Sequence, residues 1–567
     1  MLGTQGPRHR PLVLTPTTTF VGVPRPALSP EEAPPLPAGT WSLLRFLGRI
    51  TPADRATPPV ALEDVHLPEV RLTGAVRAAL AAVVGQEHLS TECLDRVEHA
   101  GGKGYPDLYR LRTGDGSRAP DAVVFPGSAE EVTALLAVCV EHEVAVVPFG
   151  GGTSVVGGVD PARGRFAAVV SVDLRRLAAV RSVDPVAQTA VVEAGARGPE
   201  AEAVFERQGL TLGHFPQSYQ QATIGGFLVT RSAGQASSAY GRFEENVVAA
   251  RLSTPTGELR LGGRAPANET AAGPRLLDAI VGSEGLLGIV TEVTVQLTRS
   301  PRLHRQETWA FRDTESGFEA FRDLSQQLGP GVMPDISRLS DANETTTIMS
   351  RSGIAGIPSL GVLRARGWRE PALAVFQLED QDQASLRFRR RRMAKVLKRH
   401  GAARMPDSIA EHWMRNRFQG PYHRDRLMDR GVFVETVETA TTWDNLEHLY
   451  AAVRSALIRV AGERSWLQCH VSHLDRGGAS LYFTVMANGE SDPLAQWARV
   501  KAAVGDAMIA AGGTITHHHA VGTAHRPWVG EEVGDGGVRM LRALKAELDP
   551  AGILNPSKVI TEEGDPS

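Results

Sequence analysis

The stretch PFGGGTSVVGG (148–158) decides how this chain folds. It follows the apolar run VAVV (144–147), and before that APDAVVFPGSAEEVTALLAVCVEHE (119–143) reads as a strand, a turn and a helix. Ser128 stands where a helix N-cap belongs, and Glu131 completes a capping box three residues on. Val132, Leu135, Leu136 and Cys139 recur on one face at helical spacing. The unit is βαβ-like and closes on a glycine turn. Gly150, Gly151 and Gly152 lack a Cβ, so successive backbone amides can approach a ligand closely, and Thr153 and Ser154 add hydroxyl donors. A pyrophosphate suits such a turn. The turn matches neither GxxxxGK[ST] nor GxGxxG, so neither a P-loop nor a Rossmann fingerprint is present.

Two further segments share this character. GHFPQSYQQATIGGFLVTRSAGQASSAYGRFEENVV (213–248) packs glycines, hydroxyls and amides together, with Gln217, Ser218, Thr223, Gly225, Gly226, Thr230, Ser232, Ala233 and Gly234 among them. AIVGSEGLLGIVTEVTV (279–295) places Gly282, Ser283, Glu284, Gly285, Gly288 and Ile289 at the mouth of a β-branched strand. Short strand patterns run through FAAVVSVDL, QTAVVEAGA and LLGIVTEVTVQLT to about residue 298.

In spacing and order these three segments resemble the FAD-binding domain of the vanillyl-alcohol-oxidase type of flavoprotein, over roughly 118–300, and LDPAGILNP (548–556) resembles the tail that returns to that domain. The resemblance implies an α+β fold: a two-subdomain FAD-binding domain of the vanillyl-alcohol-oxidase type with an α+β cap over the isoalloxazine. It implies FAD held by Pro148, Gly150, Gly151, Gly152, Thr153, Ser154 and Val155 together with the residues of the two later segments. It also implies a noncovalent cofactor, because Gly152 and Thr153 stand where flavin-linked members often carry a histidine.

The expected organisation is an irregular Pro- and Thr-rich arm (1–39), a helical extension (40–117), the FAD-binding domain (118–300), a cap or substrate domain (301–510) and a C-terminal segment (511–567) that returns to the FAD domain. Within the extension, TWSLLRFLGRITP (40–52) with Arg45 and Arg49 reads as packing on its own domain, with a membrane interface as the alternative. In the cap, GVFVETVETA (431–440) reads as a strand. It leads into a helix that buries Leu446, Leu449, Val453 and Leu457, with Asp444 and Glu447 placed as a capping box. SLRFRRRRMAKVLKRHG (385–401) reads as a basic helix with a solvated face, ended by Gly401, a lipid or phosphate site being the sharper alternative.

Bulk properties narrow the function. At 567 residues the chain is long enough for two or three domains, and 61 Lys plus Arg against 64 Asp plus Glu gives no electrostatic reason to expect nucleic acid. Cys93, Cys139 and Cys469 lie far apart, which suits buried free thiols in a reducing compartment rather than disulfides or a zinc knuckle. No stretch approaches the ~20 apolar residues of a membrane span. The opening lacks a secretory pattern and EEGDPS (562–567) is no peroxisomal address, so cytoplasmic residence is expected. Peripheral membrane contact and a homodimer stay open.

The run His517, His518, His519 in GGTITHHHAVG (512–522) reads as a metal site or a proton-handling centre. No Cys or acidic ligand pattern accompanies it, so no metal is expected. An extended run would send His517 and His519 one way and His518 the other. Together with SRLSD (337–341), YHRDR (422–426) and ASLYFTVMANGESDP (479–493), this segment is similar to the alkyldihydroxyacetonephosphate synthase family of ether-lipid synthesis. That resemblance implies a redox-neutral exchange of the acyl chain of acyl-dihydroxyacetone phosphate for a fatty alcohol, with flavin carrying the ketone skeleton. It implies Tyr482 as acid/base, Arg424 on the substrate phosphate, Arg338 as a further essential arginine, and His517, His518 and His519 as the histidine cluster. The chemistry agrees independently: a base beside a carbonyl needs a tuned pKa, and arginine offers phosphate a planar charged fork. The bland readings are a core aromatic for Tyr482 and surface charge for Arg424. Thr523, Ala524, His525 and Arg526 depart from the lysine-containing stretch of the animal members. Two alternatives remain: an FAD oxidase or dehydrogenase of a 2-hydroxy acid or alcohol, with Arg338 and Arg424 on a carboxylate, and a flavin-binding scaffold or sensor without turnover.

Overall fold

The computed structural model describes residues 36, 39–51, 56–262, 270–329 and 331–560. Nearly all of the arm (1–39) and the last seven residues lie outside them. The unit that opened the sequence reading forms a four-stranded sheet ordered Leu89–Ser90, Ala122–Val124, Ala168–Asp173, Val144–Phe149, whose last two pairings are parallel. All six residues of Ala168–Asp173 are buried, as befits a central strand covered on both faces. The crossover helix Ala129–Glu141 starts at Ser128, whose Oγ accepts from Glu131 N (3.1 Å). The Glu131 carboxylate reaches back to Gly127 N (2.7 Å), one residue before the cap.

A five-stranded antiparallel sheet follows, ordered Val180–Asp184, Thr189–Glu193, Ile289–Gln296, Val247–Thr254, Gly257–Leu261. One apolar core joins the two sheets, with Val146 and Val170 from the first and Val192 and Val293 from the second. Ile553 and Leu554 enter the same core. The tail docks as a single bridge, Val146 N donating to Ile553 O and Asn555 N to Val146 O (both 2.8 Å).

The cap is a seven-stranded sheet ordered Ala403–Met405, Leu303–Phe311, Ala372–Asp380, Ile336–Ser340, Ser465–Ser472, Gly478–Asn488, Val432–Thr442, antiparallel at every pairing. Its helices Thr314–Leu328, Gln383–Arg399, Leu446–Ala461 and Pro493–Ala510 share one apolar core with one face of that sheet, through Phe376, Phe433, Leu481 and Phe483. The period of two in a strand then commits the alternate residues to the other face, which looks toward the FAD-binding side. Helix Leu446–Ala461 buries the face the sequence indicated but starts at Asn445 without a side-chain cap, so the Asp444/Glu447 box does not form. The basic helix Gln383–Arg399 is capped by Asp382 and buries Arg389 against Asp335 (2.8 Å).

Helix Thr40–Phe46 packs Leu43 and Leu44 on Leu427, Val434, Trp466 and Met486, which places it on the cap. Of the three free cysteines Cys139 and Cys469 are buried; Cys93 is exposed, contrary to the sequence expectation, because it opens the short helix Cys93–Glu98 on its solvent side. Among the described residues no helix is long and apolar enough to cross a membrane.

Candidate active site

A cavity of about 770 Å³ lies between the two sheet systems and draws its walls from both. Its FAD-side wall is the glycine turn. Among the described residues none of the six amides of 150–155 donates a hydrogen bond within the fold, and all six residues line the cavity. Only glycine fits beneath them: a Cβ on Gly151 would stand 2.1 Å from Gln221 O, and Gly152 has φ 63°. A row of free amides on a side-chain-free backbone is an anion cradle, and it fits a cofactor pyrophosphate. Of the residues expected to bind FAD, those in 148–155, Gln217, Ser218, Thr223, Gly225, Gly226, Thr230, Ser232, Ala233, Glu284, Gly285, Gly288 and Ile289 line the cavity; Gly234, Gly282 and Ser283 do not. Gly234 instead lets the backbone press on Phe215 N, 2.8 Å from a would-be Cβ, and Gly282 takes φ 76° in the turn.

Several of the lining side chains are committed to the scaffold. Thr223 Oγ1 caps helix Ile224–Val229 by accepting from Gly226 N (3.2 Å), and Ser154 Oγ accepts from Gly158 N (2.9 Å). Glu284 accepts from Val521 N (2.7 Å) and Gly522 N (3.0 Å), so this residue tethers the segment after the histidine run to the FAD side. Burial pushes its carboxyl up to about 7.

The cap-side wall is written in strand register. Across the three adjacent strands Glu438 pairs with Tyr482 and Tyr482 with His470; the next row toward the far end is Thr436, Thr484, Gln468; the one after is Val434, Met486, Trp466. Of these, Tyr482, His470, Thr436, Thr484, Gln468, Val434 and Met486 line the cavity, with Glu438 and Trp466 outside the lining, so the wall grades from reactive to polar to apolar. Tyr482 stacks on His470 (4.9 Å between centroids) and His518 (5.9 Å) and meets His519 edge-on (5.4 Å). Burial raises its phenol to about 12.

The histidine run is not extended. It folds around the buried carboxylate of Glu438, which accepts from His517 N (2.7 Å), His518 N (3.1 Å), His519 N (2.9 Å) and Thr516 Oγ1 (2.6 Å). Three consecutive amides converging on one carboxylate form a nest, which bends the chain and turns the rings together rather than to alternate sides. Burial works against the charge on Glu438, but the imidazoles and the Thr516 hydroxyl outweigh it and hold the group well below its ordinary range. His518 and His519 line the cavity and His517 does not. Burial depresses all three imidazoles, His517 and His519 to about 3. The ring nitrogens of His473, His517 and His518 lie within 4.8 Å of one another, a spacing that could hold an ion. Arg242 sets its guanidinium NH1 3.0 Å from His517 Nε2, so a fixed positive charge borders this group. Beyond the run, His525 Nε2 meets Lys501 Nζ at 2.9 Å, so a lysine reaches this region from helix Pro493–Ala510.

The arginines divide. Arg338 lines the cavity but is paired, NH2 donating to Glu344 Oε1 (2.7 Å) and NH1 to His470 Nε2 (3.1 Å), with its guanidinium over the Trp413 ring. Arg424, on helix Gly420–Met428, also lines the cavity, and its buried Nε has no partner among the described residues. Arg351 Nε and His423 Nε2 share that condition. Sequence reasoning missed Glu438, Glu344, His470, His473, Arg242, Arg351 and His423. Strand alternation could have found Glu438 and His470, since both fall on the Tyr482 face; the others come into place only through tertiary packing.

Comparison with known proteins bears on this geometry. The FAD binding domain family matches residues 120–262, and the family described as FAD linked oxidases, C-terminal domain, matches 300–559. An alkyldihydroxyacetonephosphate synthase of Trypanosoma brucei brucei is 31% identical over 523 residues, 90% of this chain and 82% of that protein. The chain belongs to the alkyldihydroxyacetonephosphate synthase family. A synthase of Dictyostelium discoideum is likewise 31% identical, over 89% of this chain and 84% of its own. A solved alkyldihydroxyacetonephosphate synthase superposes with a TM-score of 0.76 at 28% identity, covering 91% of this chain and 92% of the other. A p-cresol methylhydroxylase shares the fold, with a TM-score of 0.67 at 14% identity, over 87% of this chain and 98% of its own. FAD is the cofactor of this family member, and the cavity between the glycine turn and the cap is where it fits.

Proposed function

We propose that the chain exchanges the acyl group of an acyl-dihydroxyacetone phosphate for a fatty alcohol, giving the alkyl ether and a free fatty acid without net redox change. The observation that carries this reading is the convergence of Tyr482, His518, His519, Arg338 and Arg424 on the one cavity whose opposite wall is the FAD cradle. When bound, FAD supplies an electrophilic ring that lets one oxygen substituent of the ketone skeleton be replaced by another without electrons leaving the pair. Arg424 offers the unpaired fork that a phosphate monoester needs. The neutral phenol of Tyr482 can donate a proton from its Oη at physiological pH, and the neutral imidazoles beside it can exchange protons with the substrate. Arg338, already neutralised by Glu344, holds His470 beneath Tyr482. Val434 and Met486, which line the cavity in front of Trp466, receive the chain.

FAD is held without a covalent bond in this reading, supported by a cradle at 150–155 built from glycines, hydroxyls and Val155; acid precipitation should release the flavin to the supernatant. A peripheral lipid contact is supported by Phe46 (82% exposed) and Leu47 (51%) next to Arg45 and Arg49, and flotation with anionic vesicles tests it. Cytoplasmic residence is supported by the free state of the three cysteines, and cell fractionation tests it. The reaction is tested by mixing the FAD-loaded protein anaerobically with palmitoyl-dihydroxyacetone phosphate and hexadecanol. Equal amounts of ether and palmitate with oxidised flavin after turnover are expected. No ether, with flavin bleached by a 2-hydroxy acid, would replace this reading with an oxidoreductase.

A further inference from the structure

The nitrogens behind the histidine run have partners that determine where their protons sit. Arg242 has only donors, and its NH1 lies 3.0 Å from His517 Nε2, while its NH2 donates to His517 O (2.8 Å) and Arg231 O (2.7 Å) and its Nε to Glu244 Oε1 (2.9 Å). A guanidinium N–H cannot face another N–H at that distance, so His517 Nε2 is an acceptor. A neutral imidazole has one acceptor and one donor nitrogen, so the proton of His517 is on Nδ1. His517 Nδ1 is 3.2 Å from His518 Nδ1, which must then accept. The single proton of His518 is left on Nε2, on a ring that lines the cavity.

We propose that Arg242 is a positioning residue that acts through His517 to fix His518 as an Nε2–H proton donor toward the substrate. This rests on the exchange reading given above, in which a carboxylate leaves the ketone skeleton and a hydrogen-bond donor is needed where its charge develops. His518 is thereby a donor in the resting enzyme and not the base, although its sequence position would allow either role. Around His517 stand Arg242, Arg231, His473, His518 and Glu438; Glu438 Oε2, 3.4 Å from His518 Nδ1, already accepts from His517 N (2.7 Å), and His517 Nδ1, at 3.2 Å, is the nearer partner of His518 Nδ1. The same logic recurs at His470, whose Nε2 accepts from Arg338 and whose Nδ1 therefore donates to Glu344 Oε1 (3.3 Å).

The test uses the FAD-loaded full chain with Arg242→Met and Arg242→Lys. Arg242→Met should keep FAD, lose about tenfold or more in kcat with little change in KM, and move the acid-side loss of its kcat profile to higher pH. Removing the guanidinium frees His517 Nε2 to take a proton. Arg242→Lys, which keeps a charged donor, should recover most of kcat and the flat profile. A Met variant with wild-type kcat and profile overturns the proposal. A second readout needs no substrate: in ¹⁵N-histidine-labelled holoprotein, with His518→Gln for assignment, His518 should show a protonated Nε2 and an unprotonated Nδ1, and Arg242→Met should shift that balance. The reverse tautomer in the unaltered protein overturns the proposal even if ether is formed. Absence of ether with the expected tautomer would count against the exchange reading alone.

Discussion

In the proposed exchange the chemistry turns most directly on Tyr482, because burial keeps its phenol protonated up to about 12 while three imidazoles crowd around it. Tyr482→Phe removes only the hydroxyl, so packing and FAD content should persist while kcat falls by about 100-fold or more, read by product analysis. A variant that binds FAD normally and keeps full turnover would remove Tyr482 from the mechanism. The pH dependence follows from the same burial. His470 is lowered to about 4 and His517 and His519 to about 3, so each gains its proton only as pH falls through those values. The kcat profile of the unaltered enzyme should be flat from about pH 6 to 8, with loss on the acid side well below the ordinary histidine value. An inflection near 6.5 would mean that a solvent-exposed imidazole carries the proton. At this scale the sequence exposed the reactive residue types but not their partners. Glu438 is one carboxylate among many in the sequence, and only the folded nest of amides from 517–519, with the Thr516 hydroxyl, makes it the organiser of the run.

The elements that hold these residues are two turns with opposite demands. The glycine turn needs backbone without side chains. A methyl on Gly151 would have to displace Gln221 O from 2.1 Å, and strain of about 1–3 kcal/mol at such a contact corresponds to about 10–100-fold in affinity. Gly151→Ala should therefore be purified largely free of flavin, measured by the ratio of flavin to protein absorbance. The His-run loop needs a hydrogen-bond acceptor at both ends, Glu438 on the cap side and Glu284 on the FAD side. Glu284 has a folded value near 7 against an ordinary 4.5, so the folded protein holds the extra proton. The stability it contributes is fully present below about 4.5 and is lost as pH rises through 7, amounting to about 3 kcal/mol. Glu284→Gln removes that dependence. In thermal melts of holoprotein the variant should gain on the wild type between pH 5 and pH 8; a constant difference would show that Glu284 is ionised throughout. The glycine turn was legible because free amides demand a recognisable run of residues. The loop was not, since its bend comes from a carboxylate 78 positions before Thr516, and residues 512–522 carry no local signal that separates a nest from a strand.

On the scale of the whole molecule, function is set by where the cap sheet meets the FAD-binding sheets, and the register of three cap strands gives the cavity a direction. Moving from the row of Glu438, Tyr482 and His470 to that of Val434, Met486 and Trp466, the wall changes from reactive to apolar, and the apolar end is backed by Leu43 and Leu44 of the N-terminal helix. The sequence made the two-part architecture readable through its glycine segments and its returning tail, yet a strand pairing such as Trp466 with Met486 has no sequence signature. In the proposed reaction a substrate whose head is held at Arg424 and whose reacting carbon lies beside Tyr482 is expected to send its chain along this gradient, past Thr484 toward Met486. Filling that end should penalise long chains and spare short ones. Met486→Trp adds bulk in the middle of the apolar row, two residues from the nearest polar one and four from Tyr482, so the reactive row keeps its partners. The ratio of kcat/KM for hexadecanol to that for a four-carbon alcohol should fall by about tenfold or more, as a chain of many methylenes loses its contact surface. If both alcohols lose activity equally, the substitution has disturbed the reactive row itself and the chain runs elsewhere. If neither loses activity, the apolar row is core packing for the N-terminal helix and the alkyl chain leaves the cavity on the side of Trp413 and Phe418, which also line it.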